Sequence, residues 1–488
     1  MDTALCDDLL QEVFRLLPPA AAPAVSLVSR RWYALLRASI TSLTLRLPVS
    51  SDASVVAPLA ALLSRFPFLS ALAVVSTAAT DQVADAILLL VASSPSAARL
   101  SGLRFLPDSA ISPAALIAAS PAFYGLTSLH LTALRPLSFR WIALLPRLKS
   151  FYLVNSAAAA TAVDSAGWSS DDVDGNGETV GPLPLEKLSL CGIRSGDRGL
   201  GWLWRRCGNL QWLQLRACDG TGDGPSSQFL AGCLAHLLAL ELRACRSVSD
   251  RVLLLAADRC RELKSLLVYD GGSREALHRF IHQRGAALRT LDLRLPLDLH
   301  NDHLLAIGAE QDQQNQNATH RLGALRLQSC VLITGDGLRS LARTATGAGI
   351  EELALVNCDV VEREPGLLTF LSQSMRRLRR LDLSYNETLT DKEVGAMLSS
   401  CHNLIDIRLR GCRCLTRASL LSLLRYRGRS MEVIDITHCL SISTADVELF
   451  AQEATRLIQM IIEESLVSEE LRAIARKKGI SVGSLPCD

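Results

Sequence analysis

A spacing of Leu-x-x-Leu-x-Leu, often followed closely by Cys or Asn, recurs along most of this 488-residue chain. Nothing else in the sequence constrains the fold as tightly. Clear copies are Leu210, Leu213, Leu215 with Cys218; Leu237, Leu240, Leu242 with Cys245; Leu322, Leu325, Leu327 with Cys330; Ile350, Leu353, Leu355 with Cys358; and Leu378, Leu381, Leu383 with Asn386. The second apolar position falls at 188, 213, 240, 266, 291, 325, 353, 381, 407 and 434, so the period is 25 to 28 residues with one longer step of 34. Weaker copies centre on Leu43, Leu72, Leu103, Leu129 and Phe151, for fifteen units.

Alternation around Leu-x-Leu is the pattern of a short strand with its apolar side chains on one face. A helix should follow. In Thr390 to Cys401, Thr390 and Glu393 form a capping box, and Val394, Met397, Leu398 and Cys401 then share a helical face. The same order recurs after Ser249, Thr334, Thr416 and Ser443. Neither a strand of this length nor a three-turn helix buries its apolar face alone, so units must stack. The expected fold class is α/β: a short all-helical module, then a curved solenoid with parallel strands on the concave side and helices on the convex side.

The expected boundaries are 1–40 for the helical module, 41–467 for the solenoid and 468–488 for a C-terminal cap, with a charged helix from Ser468 to Lys478. Two insertions break the rhythm, one acidic and Gly-rich over 156–181 and one Gln- and Asn-rich over 309–320; both read as loops.

Composition narrows the function. With 51 basic and 49 acidic residues the formal charge is +2, which speaks against nucleic-acid or membrane binding driven by bulk charge. No apolar run approaches the roughly 18 residues that span a bilayer. Met1 to Asp8 carries acids where a secretory signal would carry a basic and then an apolar region. Of fourteen cysteines, ten sit at repeat-defined positions: 218, 245, 330, 358, 412 and 439 after the strand, and 207, 233, 260 and 401 before the next one. Core packing of reduced thiols accounts for them, consistent with the cytoplasm or nucleus. Asp172-Val-Asp174-Gly-Asn176-Gly177 imitates the start of a calcium loop, but Leu183 stands where the bidentate Glu belongs. His278 and His282 are one helical turn apart, without the Glu or third ligand of a zinc site. No catalytic constellation, metal site or cofactor is implied.

Before the repeats, Leu9, Leu10, Val13, Phe14 and Leu17 define an amphipathic helix stopped by Pro18-Pro19, and Leu27, Val28 and Trp32 share one side of a second helical stretch. About forty residues cannot enclose much of a core, so a partner should cover the remaining apolar surface. Leu5-Cys6-Asp7-Asp8-Leu9-Leu10-x-x-Val13-Phe14-x-x-Leu17-Pro18, then Ser26-Leu27-Val28-Ser29-Arg30-Arg31-Trp32, resembles an F-box, with Cys6 where the family has proline and Ser29 where it often has cysteine. The repeats resemble the cysteine-containing class of leucine-rich repeats, and the two together resemble the F-box/leucine-rich-repeat family, in the order seen in its plant members. That resemblance implies binding of a Skp-type adaptor and cullin of a ubiquitin ligase through Leu5, Leu9, Leu10, Val13, Phe14, Leu17, Val28 and Trp32.

In the repeat register, Trp212, Arg216, Arg243, Tyr269, Arg326, Arg380, Tyr385, Arg408 and Arg410 are candidates to face the concave surface and bind a target protein. Arg326, Arg380, Arg408 and Arg410, on neighbouring strands, could gather an acidic degron or a phosphate; ion pairing with acids such as Glu241, Asp292, Asp382 and Asp435 is the competing reading. The function expected is a non-catalytic substrate receptor of a cullin-RING ubiquitin ligase. A receptor of the same order gated by a hormone or metabolite, and a scaffold outside any ligase, are the alternatives.

Overall fold

The computed structural model describes residues 5–18, 21–47, 56–76, 81–105, 110–155, 181–296, 298–308 and 322–483. They fall into two compact units, Met1–Leu237 and Leu238–Asp488. The imitation calcium loop and the Gln- and Asn-rich insertion lie outside the described residues.

Unit 1 opens with three helices, α1 (Asp7–Leu16), α2 (Ala22–Ser26) and α3 (Arg30–Ser39). Eight strands follow: β1 (Ser42–Leu47), β2 (Ala71–Ser76), β3 (Gly102–Phe105), β4 (Ala110–Ile111), β5 (Ser128–Ala133), β6 (Ser150–Asn155), β7 (Lys187–Cys191) and β8 (Trp212–Arg216). All pairings within the unit are parallel, and the two-residue β4 runs beside the end of β5.

Unit 2 continues the pattern with β9 (Ala239–Arg243), β10 (Ser265–Tyr269), β11 (Thr290–Arg294), β12 (Ala324–Gln328), β13 (Glu352–Val356), β14 (Arg380–Asp382), β15 (Asp406–Arg408), β16 (Val433–Asp435), β17 (Gln459–Ile461) and β18 (Ser481–Gly483). Each pairs in parallel with the next.

Every second apolar position read from the sequence is the second residue of a strand, and equivalent positions pair: Leu266 with Leu291, Leu291 with Leu325, Leu325 with Leu353. Those side chains are buried, Leu240, Leu266 and Leu325 at 0% exposure. Two rungs escaped the reading. Met460 and Val482 extend the register beyond Ile434, so the charged helix Glu469–Lys478 leads into a further strand rather than ending the stack.

The cysteines after the strands do more than fill space. The thiols of Cys358, Cys412 and Cys439 donate to the carbonyls of Leu327, Leu383 and Leu409 one rung back, at 3.4, 3.2 and 3.1 Å. Burial pushes Cys412 and Cys439 up to about 12, which keeps them as S–H donors at neutral pH. Asn386 fills the same slot with a stronger set of bonds. Its Nδ2 donates to Leu355 O and Leu383 O at 2.8 Å, and its Oδ1 accepts from the Cys358 N–H at 2.9 Å.

A left-handed residue follows strand after strand: Gly192, Ala244, Asp270, Leu295, Ser329 and Asn357 all have φ between 46° and 76°. Such backbone costs a non-glycine residue about 1 kcal/mol. The compensation is visible, because the N–H of each of these residues donates to the next rung, as Ala244 does to Tyr269 O at 2.8 Å and Ser329 to Val356 O at 2.9 Å. The turn thus extends the ladder past the end of the strand.

Helix starts follow local chemistry. Thr390 accepts from the Glu393 N–H at 3.4 Å, while the Glu393 carboxylate accepts from Gly366 in the neighbouring unit of the repeat, so only half of the expected box forms. Ser443 and Asp446 make a complete one. Ser249 is not a cap: the helix Arg246–Arg259 begins three residues earlier, and buried Ser249 Oγ accepts from the Gly272 N–H at 2.9 Å.

Candidate functional site

Two surfaces carry the residues singled out from the sequence. The first is the three-helix module. Leu10, Phe14, Val25, Leu35 and Leu36 form its core, with Ala22 and Trp32 packed against them. The Phe14 and Trp32 rings lie 5.4 Å apart. Ser29 caps α3 by accepting from the Trp32 N–H at 3.1 Å. Arg31 ties the start of α1 to α3 through Asp7 at 2.6 Å and the Leu5 carbonyl at 2.9 Å. Cys6, where the family has proline, has φ of −70°, the value a proline ring imposes, so the turn into α1 keeps that shape.

The structure divides the expected adaptor set. Leu10 and Phe14 are 1% and 5% exposed and hold the module together from within, and Trp32 is half-buried beside them. Leu5, Leu9, Val13, Leu17 and Val28 face outward, joined by Leu16 and Leu27, which were not in the expected adaptor set and are the most exposed of all at 85% and 86%. The signal was present in α1. Leu9, Val13 and Leu16 are spaced i, i+4, i+7, whereas Leu10 and Phe14 are spaced i, i+4 one position on, so one wide apolar stripe serves two surfaces.

The second surface is the strand face away from the buried leucines. In unit 2 its arginines are held by carboxylates. Arg243 pairs with Glu241 at 2.8 Å, Arg294 with Asp292 at 2.7 Å, Arg380 with Glu352 at 3.1 Å and Arg408 with Asp406 at 3.5 Å. Arg326 reaches Asp382 at 3.4 Å across the small Ala354, and approaches Asp292 at 3.8 Å. Arg410 lies over the Tyr385 ring, 5.6 Å from its centre. Gly411 is glycine because a Cβ there would sit 2.7 Å from that ring, at a φ of +73°. Tyr385 also borders an open cleft of about 500 Å³ with Gln328, Asn357, Glu362, Glu387 and Thr388. Tyr269 is half-buried at the end of β10. Of the four arginines envisaged for a phosphate or acidic degron, Arg326, Arg380 and Arg408 are thus ion-paired and Arg410 is stacked on Tyr385.

Unit 1 is built differently. Trp212 lies 5.9 Å from Tyr152, and Tyr152 stacks on His130 with 3.8 Å between ring centres and 17° between planes. Arg104 pairs in register with His130. Arg216, at the end of β8, is exposed. His130, Tyr152 and Arg104 were missed because outward positions were read only on the clear repeats; the weak copies at Leu103, Leu129 and Phe151 place them in that slot.

His278 and His282 lie with ring centres 6.3 Å apart on the helix Arg274–Arg284, and His278 is 5.7 Å from buried His303, whose ring nitrogens meet the His300 and Arg274 carbonyls. Among the described residues no group of three His, Cys, Asp or Glu side chains is placed to hold a metal.

Residues 3–40 match the F-box domain family. F-box/LRR-repeat protein 4 of Bos taurus is 25% identical over 236 residues, a match covering 43% of this chain and 37% of that protein's length. Similar solved structures include a chain from the yeast Rad7 and Elc1 complex (15% identity, 98% of this chain and 92% of that one, TM-score 0.45). An internalin from Listeria monocytogenes is a second (14% identity, 88% and 94%, TM-score 0.37).

Proposed function

From the F-box match at residues 3–40 and the likeness to an F-box/LRR-repeat protein, we propose that the chain is the substrate-recognition subunit of a cullin-RING ubiquitin ligase of the Skp-adaptor type. The observation that carries this reading is the outward apolar face of the module, Leu9, Val13, Leu16, Leu27 and Val28, set on a core too small to cover it. Exposed apolar surface on that scale is stabilised by burial against a partner. The F-box match supports a Skp-type adaptor, with cullin behind it, as that partner.

The repeats then hold a protein target. The receptor supplies no bond-making group of its own: it raises the local concentration of a target lysine near a charged ubiquitin-conjugating enzyme, which carries out the transfer. Cytoplasm or nucleus is the setting this implies. The Tyr385 cleft supports a protein target over a hormone or metabolite, since small-molecule sites are mostly apolar and this lining is polar apart from one ring.

The test is capture of purified adaptor and cullin by the wild-type chain beside a Leu9→Asp, Val28→Asp variant. Leu10 is unsuitable for this purpose because it belongs to the core. Capture by wild type and loss in a folded variant support the proposal; failure of the folded wild-type chain to capture adaptor sinks it and leaves the scaffold reading.

A further inference from the structure

The strand faces of the two units differ in charge. The strands of unit 2 carry six acids, Glu241, Asp292, Glu352, Asp382, Asp406 and Asp435, alongside five arginines. Those of unit 1 carry Arg46, Arg104, Lys187 and Arg216 and, among the described residues, no Asp or Glu. The nearest flanking acid, Glu186, is held by Lys149 at 2.8 Å. Among the described residues, no carboxylate lies within ion-pair distance of Arg104, Lys187 or Arg216.

Between these cations lie the aromatic rings. His130 and Tyr152 stack, and Trp212 leans toward Tyr152. Several neighbouring outward positions are small, Ala73, Gly102, Ser128, Ser150 and Ser189, while Thr132, Val154 and Gln214 are larger. The three rings are half-buried, and His130 and Tyr152 each have one face covered by the other. From β3, which bears Arg104, to β8, which bears Trp212, is four strand spacings, roughly 19 Å. About six residues of extended peptide cover that distance.

We propose that this strand face of unit 1 is the target-docking surface, and that it takes an extended acidic segment carrying an aromatic side chain. The aromatic group packs on His130, Tyr152 and Trp212, and the flanking carboxylates meet Arg104 and Lys187. Desolvation, and after it the Arg104 charge, push His130 below the ordinary histidine range, so the stacked ring is neutral at physiological pH and offers an uncharged platform. Aromatic anchors of this kind concentrate binding energy, and unpaired cations select the partner's charge. Basic residues interleaved with rings also suit single-stranded nucleic acid. However, nucleic-acid affinity is carried mainly by neutralised phosphates, whereas the described strands of unit 1 carry four cations and the chain's formal charge is only +2. This docking site rests on the receptor reading given above.

The experiment uses the full chain co-purified with a Skp-type adaptor. Fluorescence anisotropy compares three labelled pools of short degenerate peptides: Tyr or Phe flanked by Asp or Glu, Ala flanked by Asp or Glu, and Tyr or Phe flanked by Lys. A fourth probe is a uridine oligonucleotide. The acidic aromatic pool should bind best, more weakly as salt rises, and lose about tenfold or more in affinity in Arg104→Glu and in Tyr152→Ala. Arg380→Glu, on the charge-compensated face, should leave it unchanged. Should Tyr152→Ala lose its thermal transition, Arg104→Glu, on an exposed side chain, decides alone. Undiminished binding in Arg104→Glu, loss in Arg380→Glu, preference for the alanine pool or the oligonucleotide, or no binding to the folded wild-type complex each overturns the proposal. Retention of adaptor in the same samples separates the two ideas. Peptide failure with adaptor held removes only the docking site, and adaptor failure removes the receptor reading.

Discussion

The helical module and the repeats solve the same problem in opposite ways. In the repeats, strand leucines such as Leu240, Leu291 and Leu327 are at most 1% exposed, because the rungs before and after are supplied by the chain itself. In the module, five side chains make the core while Leu5, Leu9, Val13, Leu16, Leu17, Leu27, Val28 and Tyr33 remain outside it. Similar residues, leucine above all, therefore mean different things in the two places. A repeat leucine reports on stability; an outward module leucine reports on an interface.

Substitutions can break that contrast directly. The largest effect expected is on adaptor capture: Leu9→Asp with Val28→Asp should weaken it by about a hundredfold or more, with little change in the thermal midpoint because both side chains are already exposed. A matching loss of the midpoint would erase the distinction between interface and core. Leu325→Ala should do the reverse, costing about 3 kcal/mol in denaturant unfolding while leaving adaptor capture intact.

Asn386→Ala should come next, at about 2 kcal/mol, because it takes the side-chain partner from the Leu355 carbonyl and the Cys358 N–H inside the stack, leaving the Leu383 carbonyl only its Cys412 thiol donor. A cost no larger than that of an exposed asparagine would mean the ladder of Asn and Cys contributes only packing. A smaller effect concerns acid. Burial opposes charge on Asp391, but hydrogen bonds from Ser419 and Thr416 outweigh it and hold the carboxyl below the usual carboxylate range. Its folded pKa is depressed, so its contribution to stability is present above the unfolded value and disappears as pH falls through the folded one. Asp391→Asn should therefore flatten the acid limb of a stability profile, and an unaltered limb would contradict the assignment. Smallest of all, Arg380→Ala should cost at most about 0.5 kcal/mol, since its partner Glu352 is met at an exposed site.

The rungs were legible because their period fixes which residue is buried whatever surrounds it; Leu72 and Phe151 obey the rule as faithfully as Leu325. Legibility failed where the code is shared. Met460 keeps the apolar spacing with Leu457 and Ile462 but has Ser465 where earlier copies carry Cys or Asn, and Val482 keeps a Cys at 487 but has Gly479 and Ser484 where the flanking leucines should stand. Ser249 has the composition of a helix start but lies inside a helix already begun at Arg246. The module face was half legible, since a stripe of adjacent leucines does not say which edge turns inward. Charge on the strand face was the least readable feature. Whether Arg326 is available depends on Asp382, which lies two strands away and 56 residues later in the chain.

The bonds from each cysteine to the carbonyl one rung back have a kinetic meaning. They join residues 28 to 37 apart, from Cys218 and Leu190 to Cys330 and Leu293. Closing a loop of that size costs nearly the same entropy at every step. A chain emerging from the ribosome can then lay each rung on its predecessor as soon as it appears, without waiting for sequence still to be made. Assembly becomes a queue in which an early defect delays everything behind it and a late one does not.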